Sequence, residues 1–409
     1  MKKRVFLLLL PALLSADTLK SLLDYATINN TMVASKHLTQ KAKNLELEST
    51  KSAYYPTIDI GGSYTNRNQK TASTPGDIYT GYASVSIDLY DGGKKSHLIN
   101  QNKALLNSAV LDTKSYQKEL QLSIVQDFYA IKSLEASLDA LKEKQVQLQA
   151  ELSRIKKFYE VGTTTQDEVD KLQAAYSNNI YAIDTNKYQI LSLKKLFSIK
   201  IGKNVSDFEK SHILVPRNIQ KELNDTIRAM KQNADALLHL SKSTNSAYKP
   251  QVTLSDTYSM YNYEREDATH YSEMNNQNKL YLSVSMRLYD NGSTQKQKES
   301  LLVQKKSLEK QIEQQEQIQN INIELALSKI ETTKAQIRSA KSSLDSATGA
   351  YETISEKYRV GTIDNVAYLD ALSVKTDAKA QYKTALNNLE VAYASYYYYT
   401  NKNIQEFTK

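Results

Sequence analysis

The sequence predicts a mostly helical protein with a smaller β component, built from long coiled-coil helical hairpins and four β-strands per chain. Three observations lead to this fold class. Eleven Gly and five Pro in 409 residues are about a third of the average share, so most of the chain runs in long uninterrupted elements. The chain repeats itself in two halves, and each half contains two segments in which polar and apolar residues alternate.

The composition excludes several classes of site and fold. Without Cys, the chain has no disulfide, no thiolate nucleophile, no Cys-ligated metal and no Cys for lipid attachment. A mean hydropathy of −0.55 argues against a bundle of membrane-spanning helices. The formal charge of +8 is spread along the chain without a dense Lys/Arg patch, so we expect no nucleic acid partner.

The first sixteen residues have the pattern of a secretory signal peptide. Three basic residues precede an apolar run over 5–10, and the small residues Ser15 and Ala16 stand before Asp17. The apolar run is too short to span a membrane as a helix. We therefore predict a cleaved leader over 1–16 and a mature chain that begins at Asp17.

Three short motifs recur in the same order, which indicates an internal duplication. They are Ser-Ala-Tyr-x-Pro at 52–56 and 246–250, Leu-Tyr-Asp-(Gly/Asn)-Gly at 89–93 and 288–292, and Tyr-x-Val-Gly-Thr at 159–163 and 358–362. The first pair is 194 residues apart and the other two are 199 apart. We predict a first repeat over 17–201, an equatorial linker over 202–218 and a second repeat over 219–409. Each repeat would contain a helix, a strand pair and a long helical hairpin.

The long helices follow from a run without helix breakers. Residues 94–161 contain no Gly or Pro, which predicts a helix of about 100 Å. Apolar residues from Ile131 to Tyr159 follow an alternating four-and-three spacing that recurs 199 residues later, as in coiled-coil packing. A Val-Gly-Thr sequence ends each helix, because Gly favours the left-handed helix cap, and an antiparallel helix follows. A plain coiled-coil rod would show the same spacing.

Alternation with period two predicts strands in both halves. The alternating segments cover 57–65 and 83–89 in the first half and 252–255 and 280–289 in the second, and Tyr residues flank them. A β-sandwich would alternate in the same way, but export and the flanking Tyr favour a transmembrane β-barrel. Because four strands in lipid would leave unpaired edges, the chain must oligomerise, and three copies would supply twelve strands.

Together these features resemble the TolC family of outer membrane channels, the outer membrane efflux proteins. The resemblance rests on the leader, the two halves in register, the strand pairs, the Leu-Tyr-Asp-Gly-Gly turn and the Tyr-x-Val-Gly-Thr tips, and it covers the whole mature chain. It implies a homotrimer in the bacterial outer membrane, with a twelve-stranded transmembrane β-barrel and a long periplasmic α-barrel. Such a channel is the passive exit duct of a tripartite efflux pump or a type I secretion system. Its partners would be a periplasmic adaptor protein, an inner-membrane transporter and outer membrane lipid.

The resemblance also implies a gate at the periplasmic end. Members of the family carry two acidic residues, in the helix after the second tip, that ring the aperture. Asp370 corresponds to one of them and Ala367 replaces the other, while Asp364, one helical turn earlier, is a possible substitute. Three converging carboxylates would favour cations over anions. The alternative is that Asp370 lies on a solvated helix face.

A latch beside the aperture is implied in the same way. Tyr358 corresponds to a family Tyr that holds the second tip against the first-half hairpin, where Glu168 is the expected partner. A basic latch residue of the family is replaced here by Ile363, so we expect that restraint to be missing.

The two hairpin tips are the implied contact points for the adaptor protein. The alternative is that their glycines serve only as helix caps, and both roles can hold together. The tip residues are Val161, Gly162, Thr163, Val360, Gly361 and Thr362.

We predict no catalytic residues, no metal site, no cofactor and no enzymatic activity. The five His have no metal-ligand spacing, and the sequence contains no phosphate-binding loop, no nucleophile elbow and no dinucleotide-binding glycines. Carboxylates are dispersed along the helices as charge pairs, which is typical of solvated faces. The alternative function is a periplasmic coiled-coil scaffold or adaptor without a transmembrane barrel, which would stay in solution without detergent.

Overall fold

A computed structural model describes residues 18–69, 76–205, 208–217, 219–264 and 274–409. The predicted leader over 1–16 and the maturation site at Asp17 lie outside these residues. The described residues form helices and strands in the order α1 (Leu19–Asn29), α2 (Thr31–Ser52), β1 (Thr57–Asn66), β2 (Asp77–Tyr90), α3 (Lys94–Glu160), α4 (Gln166–Ile201), α5 (Asp225–Asn245), β3 (Gln251–Glu264), β4 (Asn276–Ser285), α6 (Ser293–Arg359) and α7 (Asn365–Tyr399), with short 3₁₀ helices at Ser246–Tyr248 and Ile404–Phe407.

Each half contains one very long helix and one shorter helix that returns beside it. The long helices α3 and α6 both have 67 residues. In the first half, Lys156 near the tip contacts Gln173 at 3.3 Å, whereas Lys200 at the far end of α4 contacts Asp127 at 2.6 Å. These contacts make α3 and α4 antiparallel, and the predicted hairpins are confirmed. In the described part of the chain, no helix combines the length and the apolar character that crossing a membrane requires.

The chain forms two compact units that cut across the sequence repeats. One unit contains Thr113–Asp225 and Glu316–Lys409 together with the described residues up to Ser35. The other contains Lys36–Asp112 and Thr226–Gln315, and therefore all four strands. The predicted division into two repeats and an equatorial linker stays a prediction.

The strands form one antiparallel sheet in the order β1-β2-β3-β4. The two hairpins of the sheet are joined by the long pairing of β2 with β3, from Asp77 opposite Glu264 to Tyr90 opposite Val252. On one face, apolar side chains such as Ile60 and Val284 are exposed, whereas Asp59 and Ser283 beside them belong to the other face. This arrangement follows directly from the period-two pattern of the sequence.

The last strand has the predicted length of about ten residues, but it begins and ends four residues earlier in the chain than predicted. Alternation continues to Tyr289, but β4 ends at Ser285, opposite Gln251 at the start of β3. Pro250 precedes β3 and has no backbone N–H to donate. Residues 286–289 therefore extend past the end of the strand with which β4 pairs.

The core of the first unit contains a cluster of Phe rings among aliphatic side chains. Phe208 packs edge-on against Phe128 and Phe197, with ring centroids 5.1 and 5.4 Å apart. The chain around Phe208 then pairs with the C-terminal tail, where the amide of His212 donates to the carbonyl of Lys409 at 2.9 Å. The segment predicted as a linker is thus held against the tail by backbone pairing at His212, Ile213 and Leu214.

Candidate functional site

Both hairpins end in the same turn, built around a glycine and a threonine. Gly162 and Gly361 have φ angles of +73° and +79°, in the left-handed region that a side chain disfavours. At the first tip the amide of Gly162 donates to the carbonyl of Tyr159 at 3.0 Å. Thr163 binds the carbonyl of Phe158 through its amide at 2.9 Å and its hydroxyl at 3.0 Å. The second tip repeats these bonds 199 residues later.

The tips present apolar side chains to the surface. Val161 is 72% exposed and Val360 is 67% exposed, and the Gly and Thr that follow each of them are also exposed. The six predicted tip residues therefore form two equivalent exposed turns. The glycines do cap their helices, so the capping role is present alongside any role in contact with a partner.

Below the tips the two hairpins share a hydrophobic core. Ile363, in the position where the resemblance leads us to expect a basic residue, packs against this core and is half-buried. The buried members are Leu148, Leu152, Ile155, Val169 and Leu172 from the first hairpin and Tyr351, Tyr358, Tyr368, Ala371 and Leu372 from the second.

Tyr358 belongs to this core through its ring. The ring stacks on Tyr368 with centroids 4.9 Å apart and planes 21° apart, and the guanidinium carbon of Arg154 lies 5.1 Å from its centroid. Burial raises the pKa of Tyr358, and the carboxylate of Glu151 raises it further, so the hydroxyl is neutral. Among the described residues, that buried hydroxyl has no hydrogen-bond partner.

Glu168, the expected latch partner, lies in the first turn of α4. Its carboxylate is 3.5 Å from the Nζ of Lys171, and its carbonyl accepts a hydrogen bond from the Nδ2 of Asn365 at 3.3 Å. Asn365 is the first residue of α7 and is fully buried, so this bond joins the two hairpins. The negative charge of Glu168 is the smallest of the causes that raise the pKa of Tyr358, and in the described chain no hydrogen bond joins the two predicted latch residues.

The two candidate aperture residues have different surroundings. Asp364 is the N-cap of α7, and its carboxylate accepts a hydrogen bond from the amide of Ala367 at 3.1 Å. Capping satisfies a backbone donor that the helix itself cannot. Asp370 is exposed, although its neighbour Ala371 and nearby Tyr368 are buried in the core. Asp370 is therefore the one of the two whose carboxylate is not used to cap the helix.

Two cationic side chains that pack on the Tyr rings below the tips were not predicted from the sequence. The Nζ of Lys375 on α7 lies 4.3 Å from the ring centroid of Tyr351, and Arg154 on α3 lies over Tyr358. Such contacts stabilise a packed ring by about 0.5–2 kcal/mol. The seven-residue spacing of Tyr351 and Tyr358 indicated a common face, but the partner of each ring depends on helix register, which spacing alone does not fix.

A comparison with family profiles gives a match over most of the chain. The profile described as "Outer membrane efflux protein" matches residues 22–192 and 218–401. The two matched segments correspond closely to the two halves found in the sequence.

Individual proteins give the same result. The outer membrane protein TolC of Salmonella enteritidis is 22% identical over 93% of this chain and 82% of its own length. Among solved structures, a membrane protein from Pseudomonas aeruginosa superposes with a TM-score of 0.82 at 13% identity, covering 93% of both chains. The Campylobacter jejuni CmeC outer membrane channel gives a TM-score of 0.80 at 15% identity, covering 94% of this chain and 85% of the other. These structural likenesses establish the fold.

Proposed function

Because this chain belongs to the outer membrane efflux protein family, it is an outer membrane efflux channel, and we propose that it works as a homotrimer that forms the passive exit duct of a tripartite pump or a type I secretion system. The family is one of channels and not of enzymes. The alternative of a periplasmic scaffold without a barrel has no support among the comparisons. The observation that carries the proposal is the family match across both halves, on a chain whose sheet exposes an apolar face.

Channel activity tests this function directly. Purified mature protein should require detergent, migrate as a trimer and form conducting pores in planar lipid bilayers. A protein that stays in solution and monomeric in plain buffer, and that forms no pores, would overturn the proposal in favour of the scaffold.

The proposed partners follow from surfaces of the two units. A periplasmic adaptor protein would contact the exposed turns around Val161 and Val360, and outer membrane lipid would contact the apolar face of the sheet. An inner-membrane transporter would supply the energy, since the chain is proposed to contribute only a conduit and a gate. Support for the adaptor contact is the equivalence of the two tips, which present the same backbone turn and the same Val side chain.

The gate is proposed to lie at α7, with Asp370 at the aperture. Support comes from its exposure and from its place beside the shared core of the hairpins, so that a shift of α7 would move the carboxylate. Asp364 has a structural role as N-cap and is the weaker candidate. The latch between Tyr358 and Glu168 is part of the same proposal.

Single-channel recording tests the gate. Asp370→Ala should raise the conductance of the trimer or reduce its preference for cations, because three carboxylates near one axis attract cations and repel anions. Asp184→Ala is the matched control: Asp184 is an exposed acid on α4 that pairs with Lys187 at 3.0 Å, and this change should leave the pore unaltered. Equal behaviour of the two variants would remove Asp370 from the gate.

A further inference from the structure

Within the described chain, no strand pairs with the outward backbone groups of β1 and β4, the two outer strands of the sheet. The amide of Arg67, just past β1, donates to the carbonyl of Gly76 at 2.7 Å, so odd-numbered residues of β1 direct their backbone groups toward β2. The amide of Tyr261 donates to the carbonyl of Asn275 at 2.9 Å, so odd-numbered residues of β4 direct theirs toward β3. In antiparallel pairs these directions alternate. Even-numbered residues of β1 and β4 therefore point their N–H and C=O groups at the open edges.

Most side chains of these even-numbered residues are apolar and exposed at both edges, whereas Asn66, Asn276 and Asn278 are polar. Ile60 on β1 is 84% exposed and Leu280 on β4 is 72% exposed. A strand edge in lipid must be paired, since no water is present to satisfy its backbone. We propose that β4 of one copy pairs with β1 of a second copy in a register that places Ile60 opposite Val284. This inference rests on the proposed trimeric channel and defines its subunit interface.

Barrel closure requires this interface to be staggered. A row perpendicular to the strands runs from Ile60 through Ala83 and Tyr258 to Asn278. Pairing Ile60 with Asn278 of the next copy would close the barrel with no stagger, whereas closed barrels have strands tilted by about 35–45°. The stagger must also be even, because an odd shift would mismatch the backbone directions and turn the apolar face inward.

Tilt restricts the stagger to two values. With twelve strands about 4.8 Å apart and a rise of about 3.3 Å per residue, a shift of four residues per copy gives a tilt of about 35°, and a shift of six gives about 45°. The direction is also determined, because the opposite shift would place β4 against α2 instead of β1.

Side chains favour the shift of six. It places Tyr64 opposite Leu280 and Ile58 opposite Met286, so apolar side chains meet at every even position from 58 to 64 except Gly62, and Asn66 lies opposite Asn278. It also pairs Met286 and Arg287, which lie beyond the end of β4, with β1. Arg287 then lies diagonally beside Asp59, which carries the opposite charge. A shift of four would place Tyr64 opposite Asn278 and would leave Arg287 beyond the start of β1.

Disulfide cross-linking can read this register, because the natural chain has no Cys. Ser63→Cys with Tyr281→Cys tests the shift of six at a pair whose backbone groups do not bond each other, where side chains are closest. The matched controls combine Ser63→Cys with Lys279→Cys for a shift of four, or with Asn275→Cys for no shift. Each variant is purified in detergent under reducing conditions, sized by light scattering, oxidised and run on a denaturing gel.

We expect covalent oligomers to form at least about ten times faster with Tyr281→Cys than with either control, since a slip of two residues moves the Cα atoms beyond the ~7 Å that a disulfide can bridge. A trimer that cross-links faster in a control, or in none of the three variants, overturns the register and leaves the proposed function standing. Variants that are all monomeric under reducing conditions, like an unmodified chain measured beside them, overturn the interface and the proposed channel together.

Discussion

Tyr358 combines a packed ring with a buried hydroxyl, and the two parts predict different effects of substitution. Tyr358→Phe keeps the stack on Tyr368 and the contact with Arg154 and removes a buried polar atom that has no partner among the described residues. We expect stability equal to or above that of the natural chain, because an unsatisfied buried group is costly. Tyr358→Ala should lose about 3–5 kcal/mol through the cavity it leaves.

The same pair of variants separates two versions of the latch. Stability is measured by denaturant unfolding in detergent, and gating by single-channel recording. If the hydroxyl holds the closed state through Glu168, the Phe and Ala variants should open equally often. If ring packing holds it, only Ala should open more often. A Phe variant that is less stable than the natural chain by more than ~1 kcal/mol would show a hydrogen bond to this hydroxyl.

Only part of the tip structure could be predicted, because only part of it depends on local sequence. The cap at Gly162 and Gly361 is local chemistry, so a Val-Gly-Thr sequence after a long helix was enough to place both turns. Arg154 over Tyr358 depends on how two hairpins more than 190 residues apart align, and nothing within either segment specifies that alignment. Asn365 is fully buried at the start of α7. In the sequence it resembles an ordinary helix-capping residue, so its contact with the other hairpin could not be predicted.

Among the elements, α3 and α5 meet through two histidines. The rings of His97 and His239 are 6.3 Å apart, and in the described chain the buried Nδ1 atom of each has no hydrogen-bond partner. Burial lowers the pKa of His97, and His239, Lys242 and Lys249 lower it further, while Asp91 opposes them. Protonation of His97 at Nδ1 would create a buried donor without an acceptor. It would also place a positive charge close to His239, Lys242 and Lys249.

This contact should therefore weaken in acid. A base whose pKa is lower in the folded than in the unfolded state stabilises the fold at pH values above its unfolded pKa, which is 6.5 for His97. That contribution is lost as the pH falls through the lowered pKa of the folded state. His97→Gln should flatten the pH dependence of the unfolding midpoint between about pH 7 and 5. His37→Gln, at an exposed His on α2, should leave it unchanged. Equal slopes for the natural chain and His97→Gln would contradict the prediction.

The elements also show where sequence patterns succeed. Helix lengths follow from the positions of Gly and Pro, and α3 ends within one residue of the predicted break. Strand phase follows from alternation, but the positions at which a strand begins and ends depend on its partner. β4 ends at Ser285 because β3 begins at Gln251, although the alternating pattern continues to Tyr289. Residues 286–289 would find a strand partner only in the proposed trimer, because within the single chain β3 offers them none.

At the scale of the whole molecule, distant segments are tied together by a buried ion pair. The Nζ of Lys118 on α3 lies 2.6 Å from the carboxylate of Asp225, whose side chain is 2% exposed. The same Nζ donates to the backbone carbonyl of Asn401 at 2.8 Å and to its side chain at 2.9 Å. The network therefore connects a long helix, the start of α5 and the C-terminal tail. Sequence periodicity does not predict it, because its members are more than 100 residues apart.

Breaking this network should destabilise the fold far more than breaking a surface pair. Lys118→Met leaves the carboxylate of Asp225 buried without its cation and should cost about 3–5 kcal/mol. Adding Asp225→Asn removes the uncompensated charge, so the double variant should recover part of that loss, which a double-mutant cycle in denaturant measures. Lys334→Met, which breaks the exposed pair with Glu331 at 2.9 Å, should change the unfolding midpoint little. Additive losses from Lys118→Met and Asp225→Asn would show that the two charges do not stabilise each other, and Lys118 would then hold the tail only through its hydrogen bonds to Asn401.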